Sequence, residues 1–251
     1  MITLNPQDAI HKAWLYRILI AIIDNNNLHS LYFKGGTCAA MAGFLDRFSV
    51  DLDFDYVGNM ADLKKNRSEL EKIFKDLDLE IKDASTKVPQ YFLKYTTKEN
   101  SARNTLKIDI TFPPPQANVY EPIKLVDINR VVVCQNISTM FANKLVAVID
   151  RFERHGSIAG RDIYDIHHFF LNGYSYNKEV IIERTGLNLI DFLKKLIVFI
   201  DEQVTETIIN QDLNQIIPYE RFNKLRKVIK PEVLIFLNDE LKRLESAKQQ
   251  S

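Results

Sequence analysis

Apolar positions follow two regimes along the chain. From about Asp8 to Asp24, Ile10, Trp14, Leu15, Ile18, Leu19 and Ile22 fall at helical spacing, which predicts an amphipathic helix. Asn25-Asn26-Asn27 ends it, because asparagine suits turns and the left-handed conformation. Ser30 to Phe33 reads as a short buried strand running into Gly35-Gly36, and Thr37 is placed to N-cap a small-residue helix that continues to about Leu45. Val50 to Val57 alternates apolar and polar residues, the pattern of a half-buried strand. A charged helix from about Met60 to Lys75 follows, then strand-like runs at Leu79–Ile81, Tyr91–Tyr95 and Thr105–Phe112. Pro113-Pro114-Pro115 closes the last run, since proline donates no ladder hydrogen bond. From Ile137 onward apolar residues recur every three to four positions. Ile190, Leu193, Leu196, Ile197 and Ile200 form one stripe, and Val233, Leu234, Phe236, Leu237 and Leu241 belong to another. The expected fold class is α+β: a mixed sheet with helices over residues 1–133, then a helical bundle over 134–251, the two sharing a cleft.

Composition narrows the function classes. The 251 residues are 46% apolar, enough for a sizeable core, and eight glycines and eight prolines without a biased tract exclude collagen-like or low-complexity chains. Thirty-three basic residues balance thirty-three acidic ones, which excludes a tail-driven polyanion binder but leaves room for local basic patches. No uncharged apolar run approaches the roughly 18–20 residues of a membrane span, and MITLNPQD lacks a basic stretch followed by an apolar one. Cys38 and Cys134 form no CxxC pair, and Cys38 reads as a small buried apolar side chain. The expectation is a soluble protein of the reducing cytoplasm, with no membrane partner.

Candidate chemistry is concentrated between Lys34 and Asp55, in KGGTCAAMAGFLDRFSVDLDFD. Glycines let a ligand approach the backbone, and free amides at a helix start attract phosphate; the plain alternative is a tight strand-to-helix turn. Asp51, Asp53 and Asp55 alternate along the strand, so they share the face opposite Leu52, Phe54 and Tyr56. Aspartate is depleted in strands, and like charges this crowded are relieved by a cation; the alternative is an exposed polar face, to which Asp55, one step further on, is assigned. Mg²⁺ takes one or two carboxylates and completes its shell with water and phosphate. Paired aspartates after a phosphate-binding turn therefore point to metal-assisted phosphoryl or nucleotidyl transfer. In Leu106–Phe112, Lys107, Asp109 and Thr111 share a face, and Asp109 is the candidate third carboxylate, for the metal or for the nucleophile's proton. An exposed strand position is its alternative.

Gly35-Gly36-Thr37 followed by Arg47-Phe48-Ser49-Val50-Asp51-Leu52-Asp53-Phe54 resembles the signature of the AbiEii nucleotidyltransferase toxins, within the polymerase-β-like nucleotidyltransferase superfamily. Phe141-Ala142-Asn143-Lys144-Leu145-Val146-Ala147, then Arg151 and Arg161-Asp162-Ile163-Tyr164-Asp165-Ile166, resembles that family's helical-domain motifs. The resemblance implies a catalytic domain over 1–133 and a helical domain over 134–251 that completes the cleft. It implies Asp51 and Asp53, with Asp109, as ligands of Mg²⁺ or Mn²⁺, and Gly35, Gly36 and Thr37 as contacts to the phosphates of an NTP. Ser49 is assigned the face of Asp51 and Asp53, where it meets a phosphate oxygen. Arg47 flanks the metal strand as support, or pairs with Asp46 or Asp55. Lys144 and Arg151 share a helical face toward the triphosphate, and Asp162 and Asp165, three apart, position those cations or touch nucleotide or acceptor. A snorkelling Lys144 and an interhelical salt-bridge cluster without chemistry are the alternatives. His167 and His168 point about 100° apart on a helix and form no metal pair.

The implied activity moves a nucleoside monophosphate from an NTP to an acceptor, with RNA, specifically tRNA ends, as the leading class. The implied setting is the toxin of a bacterial toxin–antitoxin pair in phage defence, with a cognate antitoxin. An RNA acceptor needs basic surface, and Arg221 to Lys230 supplies five basic residues and no acid, with Tyr219 and Phe222 nearby to stack on bases. A second lysine-rich stretch, Lys64 to Lys107, has acids interleaved. A small-molecule, antibiotic-type nucleotidyltransferase and a non-enzymatic nucleotide-binding scaffold remain as alternatives.

Overall fold

Strand-forming and helix-forming sequence sorts into two compact units in the computed structural model, which describes residues 6–85, 88–96, 103–214 and 216–249. Lys87 and Lys98 of the second lysine-rich stretch lie outside the described residues. A sheet unit takes the chain to Phe44, then Phe48–Pro114 and Tyr120–Gln135. A helical unit takes Leu45–Arg47, Pro115–Val119 and the chain from Asn136.

The sheet unit contains α1 (Pro6–Ile23), β1 (Leu31–Lys34), α2 (Gly35–Met41), β2 (Asp51–Tyr56), α3 (Leu63–Asp76), β3 (Glu80–Ala84), β4 (Gln90–Lys94), β5 (Thr105–Thr111), β6 (Tyr120–Leu125) and β7 (Arg130–Gln135). Its seven strands are ordered β3-β4-β5-β2-β1-β7-β6; β2 is parallel to β5 and β1 to β7, and the other pairs are antiparallel. Strand alternation gives the sheet one apolar face: Phe33, Leu52, Phe54, Ile108, Tyr91 and Leu93 are buried on it. Phe33 meets Phe54 across β1 and β2, and Phe74 of α3 packs edge-on against Tyr91 at 4.9 Å. The opposite face carries Lys34, Asp51, Asp53, Asp55, Lys107 and Asp109.

Two strands escape the hydrophobic pattern. β6 is an edge strand with Pro122 at its centre and only Leu125 fully buried, and the Val131-Val132-Val133 run of β7 lacks alternation. The start of α2 is also corrected. Lys34, in extended conformation, holds the N-cap position, not Thr37. Thr37 lies inside the first turn, and its hydroxyl donates to the Asp51 carbonyl at 2.5 Å, tying α2 to the start of β2.

The helical unit contains α4 (Ile137–His155), α5 (Gly160–Leu171), α6 (Lys178–Thr185), α7 (Leu189–Gln203), α8 (Glu206–Leu213), α9 (Tyr219–Leu225) and α10 (Ile229–Gln249). Asn136, Asn177, Asn188 and Thr205 cap α4, α6, α7 and α8 through their side chains, satisfying amides that a helix start leaves open. Leu193, Leu196 and Ile200 of α7 and Val233 and Leu237 of α10 are buried, as their stripes predict. Gly160 opens α5 where it meets α8. A Cβ there would stand 2.7 Å from both the Ile208 carbonyl oxygen and the Ile209 Cα, so only glycine admits this backbone approach.

The segment Leu45–Arg47 is anchored by charge. Arg47 donates from Nε to Asp165 Oδ1 at 2.5 Å and from Nη2 to Asp165 Oδ2 at 2.7 Å, and both side chains are buried. This corrects the expected pairing with Asp46 or Asp55; a planar guanidinium suits the two-pronged carboxylate. Asp46 instead accepts from the Tyr164 hydroxyl at 2.7 Å and pairs with Arg221 and His168. Burial alone would push the Asp165 carboxyl up, but Arg47 and Lys144 outweigh it and hold it below the usual carboxylate range.

Two outcomes are expected. Gly160→Ala separates α5 from α8 and lowers stability by about 1–3 kcal/mol, measured as a drop in thermal midpoint. Arg47→Met leaves Asp165 without its bidentate partner and costs about 3–5 kcal/mol. In the parent, the Asp165 contribution is present above the ordinary carboxylate pKa of about 3.9 and disappears as pH falls through the lower folded-state value. Urea midpoints followed against pH should show a smaller loss of stability below about pH 4 in Arg47→Met, because its folded-state Asp165 carboxyl moves back up toward the unfolded value.

Candidate active site

β2 lies between β1 and β5, so its aspartate row has neighbours on both sides. Asp53 stands beside Lys34 of β1 and beside Asp109 of β5, Asp51 beside Lys107, and Asp55 between Tyr32 and Thr111. Asp53 and Asp109 are thus like charges on adjacent strands, an unfavourable pairing without compensation. Two lysines compensate. Lys34 Nζ donates to Asp55 Oδ1 and to Thr111 Oγ1, each at 2.6 Å. Lys107 Nζ reaches along its own strand to Asp109 Oδ2 at 2.5 Å.

Asp55 is wholly buried, which overturns its assignment to ordinary surface. Besides Lys34, the Tyr120 hydroxyl (2.8 Å) and Gln135 Nε2 (2.7 Å) donate to its Oδ2. A buried carboxylate with a charged partner and two neutral donors is satisfied in place. It joins β2 to β1, β6 and β7.

The turn before α2 is shaped around Asp53. Gly35 has φ +79°, and a Cβ on it would lie 2.3 Å from Asp53 Oδ2, so both conformation and space require glycine. Gly36 and Thr37 are buried beside it, and the Thr37 hydroxyl hydrogen is committed to Asp51. Ser49 precedes β2, so strand alternation does not place it on the face of Asp51 and Asp53 as expected. The buried His11 of α1 donates from Nε2 to the Val50 carbonyl at 2.8 Å, fixing the approach to β2, and burial pushes its imidazole pKa down.

On the polar face of β1, β2 and β5, four carboxylates (Asp51, Asp53, Asp55, Asp109) meet two ammonium groups (Lys34, Lys107). The part-exposed, hard oxygen donors of Asp51, Asp53 and Asp109 fit a divalent cation such as Mg²⁺ or Mn²⁺. Among the described residues no group of three or more His, Cys, Asp or Glu is disposed to hold a metal ion. Mg²⁺ itself needs only one or two carboxylates, with water and phosphate completing its shell.

The helical unit gathers the second set of candidates. Lys144 of α4 donates to Asp162 Oδ1 at 2.8 Å and lies 2.8 Å from Asp165 Oδ2, both on α5. Arg151, seven residues on, faces Asp162 Oδ2 at 3.4 Å. The Lys144 ammonium turns to these carboxylates, so it does not snorkel to solvent. Burial would lower its pKa, but Asp162 and Asp165 reverse the shift and keep it charged; burial would likewise raise Asp162, and Lys144 with Arg151 holds it low. With Arg47, three cations meet two carboxylates, leaving one positive charge over. His167 and His168 diverge as expected, to Glu232 and to Asp46.

The basic segment is partly spoken for. Phe222 is 7% exposed and packs under Arg226, so it offers no stacking face, while Arg221 pairs with Asp46 and Lys230 donates to the Asp201 carbonyl. Lys224 and Lys227 are exposed, and Tyr219 is 71% exposed. Lys34 and the Asp55 hub received no functional role from the sequence; their signal is strand register, which hydrophobic pattern does not carry.

Comparison with known proteins accords with this arrangement. The family model described as nucleotidyl transferase AbiEii toxin, type IV toxin–antitoxin system, matches residues 17–226. Two solved structures share the fold. A candidate nucleotidyltransferase from H. pylori is 22% identical, with a TM-score of 0.61, over 97% of this chain and 99% of that one. JHP933 from Helicobacter pylori is 22% identical, with a TM-score of 0.56, over 98% and 100%. No curated protein matches the chain. Among the described residues, no helix is long and apolar enough to cross a membrane. With the family match spanning well over half its length, the chain belongs to the AbiEii nucleotidyltransferase toxins of type IV toxin–antitoxin systems.

Proposed function

We propose that this toxin transfers a nucleoside monophosphate from an NTP to RNA, with tRNA ends as the acceptor class, and depends on Mg²⁺ or Mn²⁺. The observation that carries the reading is the register that sets Asp51, Asp53 and Asp109 side by side on one polar face of the sheet. Asp51 and Asp53 would hold the metal, with Asp109 beside them. The bound ion supplies Lewis-acid polarisation of phosphoryl oxygens and neutralises developing charge. Gly35 and Gly36 keep side chains out of the way of a phosphate near Asp53, with Thr37 and Ser49 as further proposed contacts. Lys144 is the proposed phosphate cation of the helical unit, seconded by Arg151. Asp162 and Asp165 keep it ionised and oriented, and Arg47 fixes Asp165.

The acceptor hydroxyl attacks the α-phosphorus, the α–β phosphoanhydride bond breaks, and pyrophosphate leaves. The hydroxyl proton passes to a base, for which Asp109 is the proposed group. Exposed Lys224, Lys227 and Tyr219 support the RNA assignment as two phosphate contacts and a stacking ring. The family setting supports a cognate antitoxin and a role in phage defence.

Incubation with each labelled NTP, Mg²⁺ and total RNA tests the reading. Label on RNA is expected, whereas label on small molecules alone would reject the RNA acceptor. Asp53→Ala should lower transfer at least about a hundredfold with the thermal midpoint unchanged or raised, since it removes crowded charge and no core volume; parent-level transfer would remove the metal assignment. Lys224→Glu combined with Lys227→Glu should raise KM for RNA and flatten its salt dependence while leaving KM for NTP unchanged. An unaltered salt slope would assign this segment to ordinary solvated surface.

A further inference from the structure

The two lysines on the polar face of the sheet are not equivalent. Lys34 is held by Asp55, which is fully buried and takes two further neutral donors, so this pair is the more shielded from exchange. Lys107 and Asp109 are 30% and 34% exposed, lie two residues apart on one strand, and meet through a single 2.5 Å contact. An ion pair of that exposure is weak and open to solvent ions, and the lysine stem is flexible enough to release its head group. Asp109 is also the carboxylate directly beside Asp53, and Lys107 itself stands beside Asp51. Any cation drawn to the aspartate row therefore approaches a carboxylate that already has an ammonium on it.

Resting on the metal-dependent reading above, we infer that Lys107 is a tethered cation that competes with the divalent metal for Asp109. In the metal-free protein it occupies the third carboxylate and lowers like-charge repulsion between β2 and β5. Metal entry displaces it, so the affinity of the site is set by the difference between two cations and not by the carboxylates alone. Lys107 is in this sense a positioning residue that tunes how much metal the enzyme requires.

Titration of the full-length protein with Mn²⁺, followed by the electron paramagnetic resonance signal of the free ion, tests this without any turnover. Lys107→Met should tighten Mn²⁺ binding by about two- to five-fold, while Lys107→Arg, which keeps the pair, should bind as the parent does. In an Asp109→Asn background, Lys107→Met should change nothing further, because the contested carboxylate is gone. Unaltered affinity in Lys107→Met overturns the inference. So does equal tightening with and without Asp109, which would reduce Lys107 to a general field effect. Lys107→Gln serves if the methionine variant does not fold. If the parent itself shows no Asp51-dependent Mn²⁺ binding, the metal reading falls, and the inference with it, a result distinct from either of the others.

Discussion

Repulsion between neighbouring carboxylates is the constraint around which the sheet unit is arranged. Three aspartates on alternate positions of β2 and a fourth on the next strand form a patch that strand pairing alone does not tolerate. Lys34 settles one end of it permanently, with Tyr120, Gln135 and Thr111 completing the hydrogen bonds, and Lys107 settles the other end loosely. What remains is the middle of the row, against the glycine turn that admits the Asp53 side chain. Structure and the proposed chemistry here have one cause: the aspartates that crowd the strand are the ones proposed to hold a cation.

The helical unit solves the converse problem. Taking Lys144, Arg47, Asp162 and Asp165 out of water is expensive, and the arrangement holds only because each charge has an opposite one in contact. Buried pairs of this kind contribute little net stability compared with apolar packing, but they fix orientation. A lysine held by two carboxylates three residues apart on one helix has little freedom of rotamer, which suits the phosphate contact proposed for it. Gly160 lets α5, the helix that carries those two carboxylates, approach α8 backbone to backbone.

Much of this was legible in the sequence, in proportion to how local the signal was. Alternation in Asp51–Tyr56 and in Thr105–Thr111 located both strands and assigned their faces, and helical spacing located α4, α7 and α10. Pairing Lys144 with Asp162 and Asp165 followed from which residues share a helical face. Where the reading failed, the deciding interaction was long-range. Asp55 looked like surface because its three partners come from β1, β6 and β7, two of which gave no strand signal. Arg47 looked like a neighbour of Asp46 because its true partner lies 118 residues away. Phe222 looked available for stacking because a seven-residue helix carries too few positions to define its buried side.

The path of the chain carries a further consequence. Between Phe44 and Asn136 the backbone passes from one compact unit to the other five times, lending three residues and then five to the helical unit before it leaves the sheet unit for good. Neither half can therefore be excised as an uninterrupted stretch of gene. A fragment ending before Asn136 would carry Arg47 without Asp165, the carboxylate it grips with both nitrogens. For a toxin this has a genetic meaning: a stop codon ahead of Asn136 removes every helix from α4 to α10 together with the carboxylates of α5.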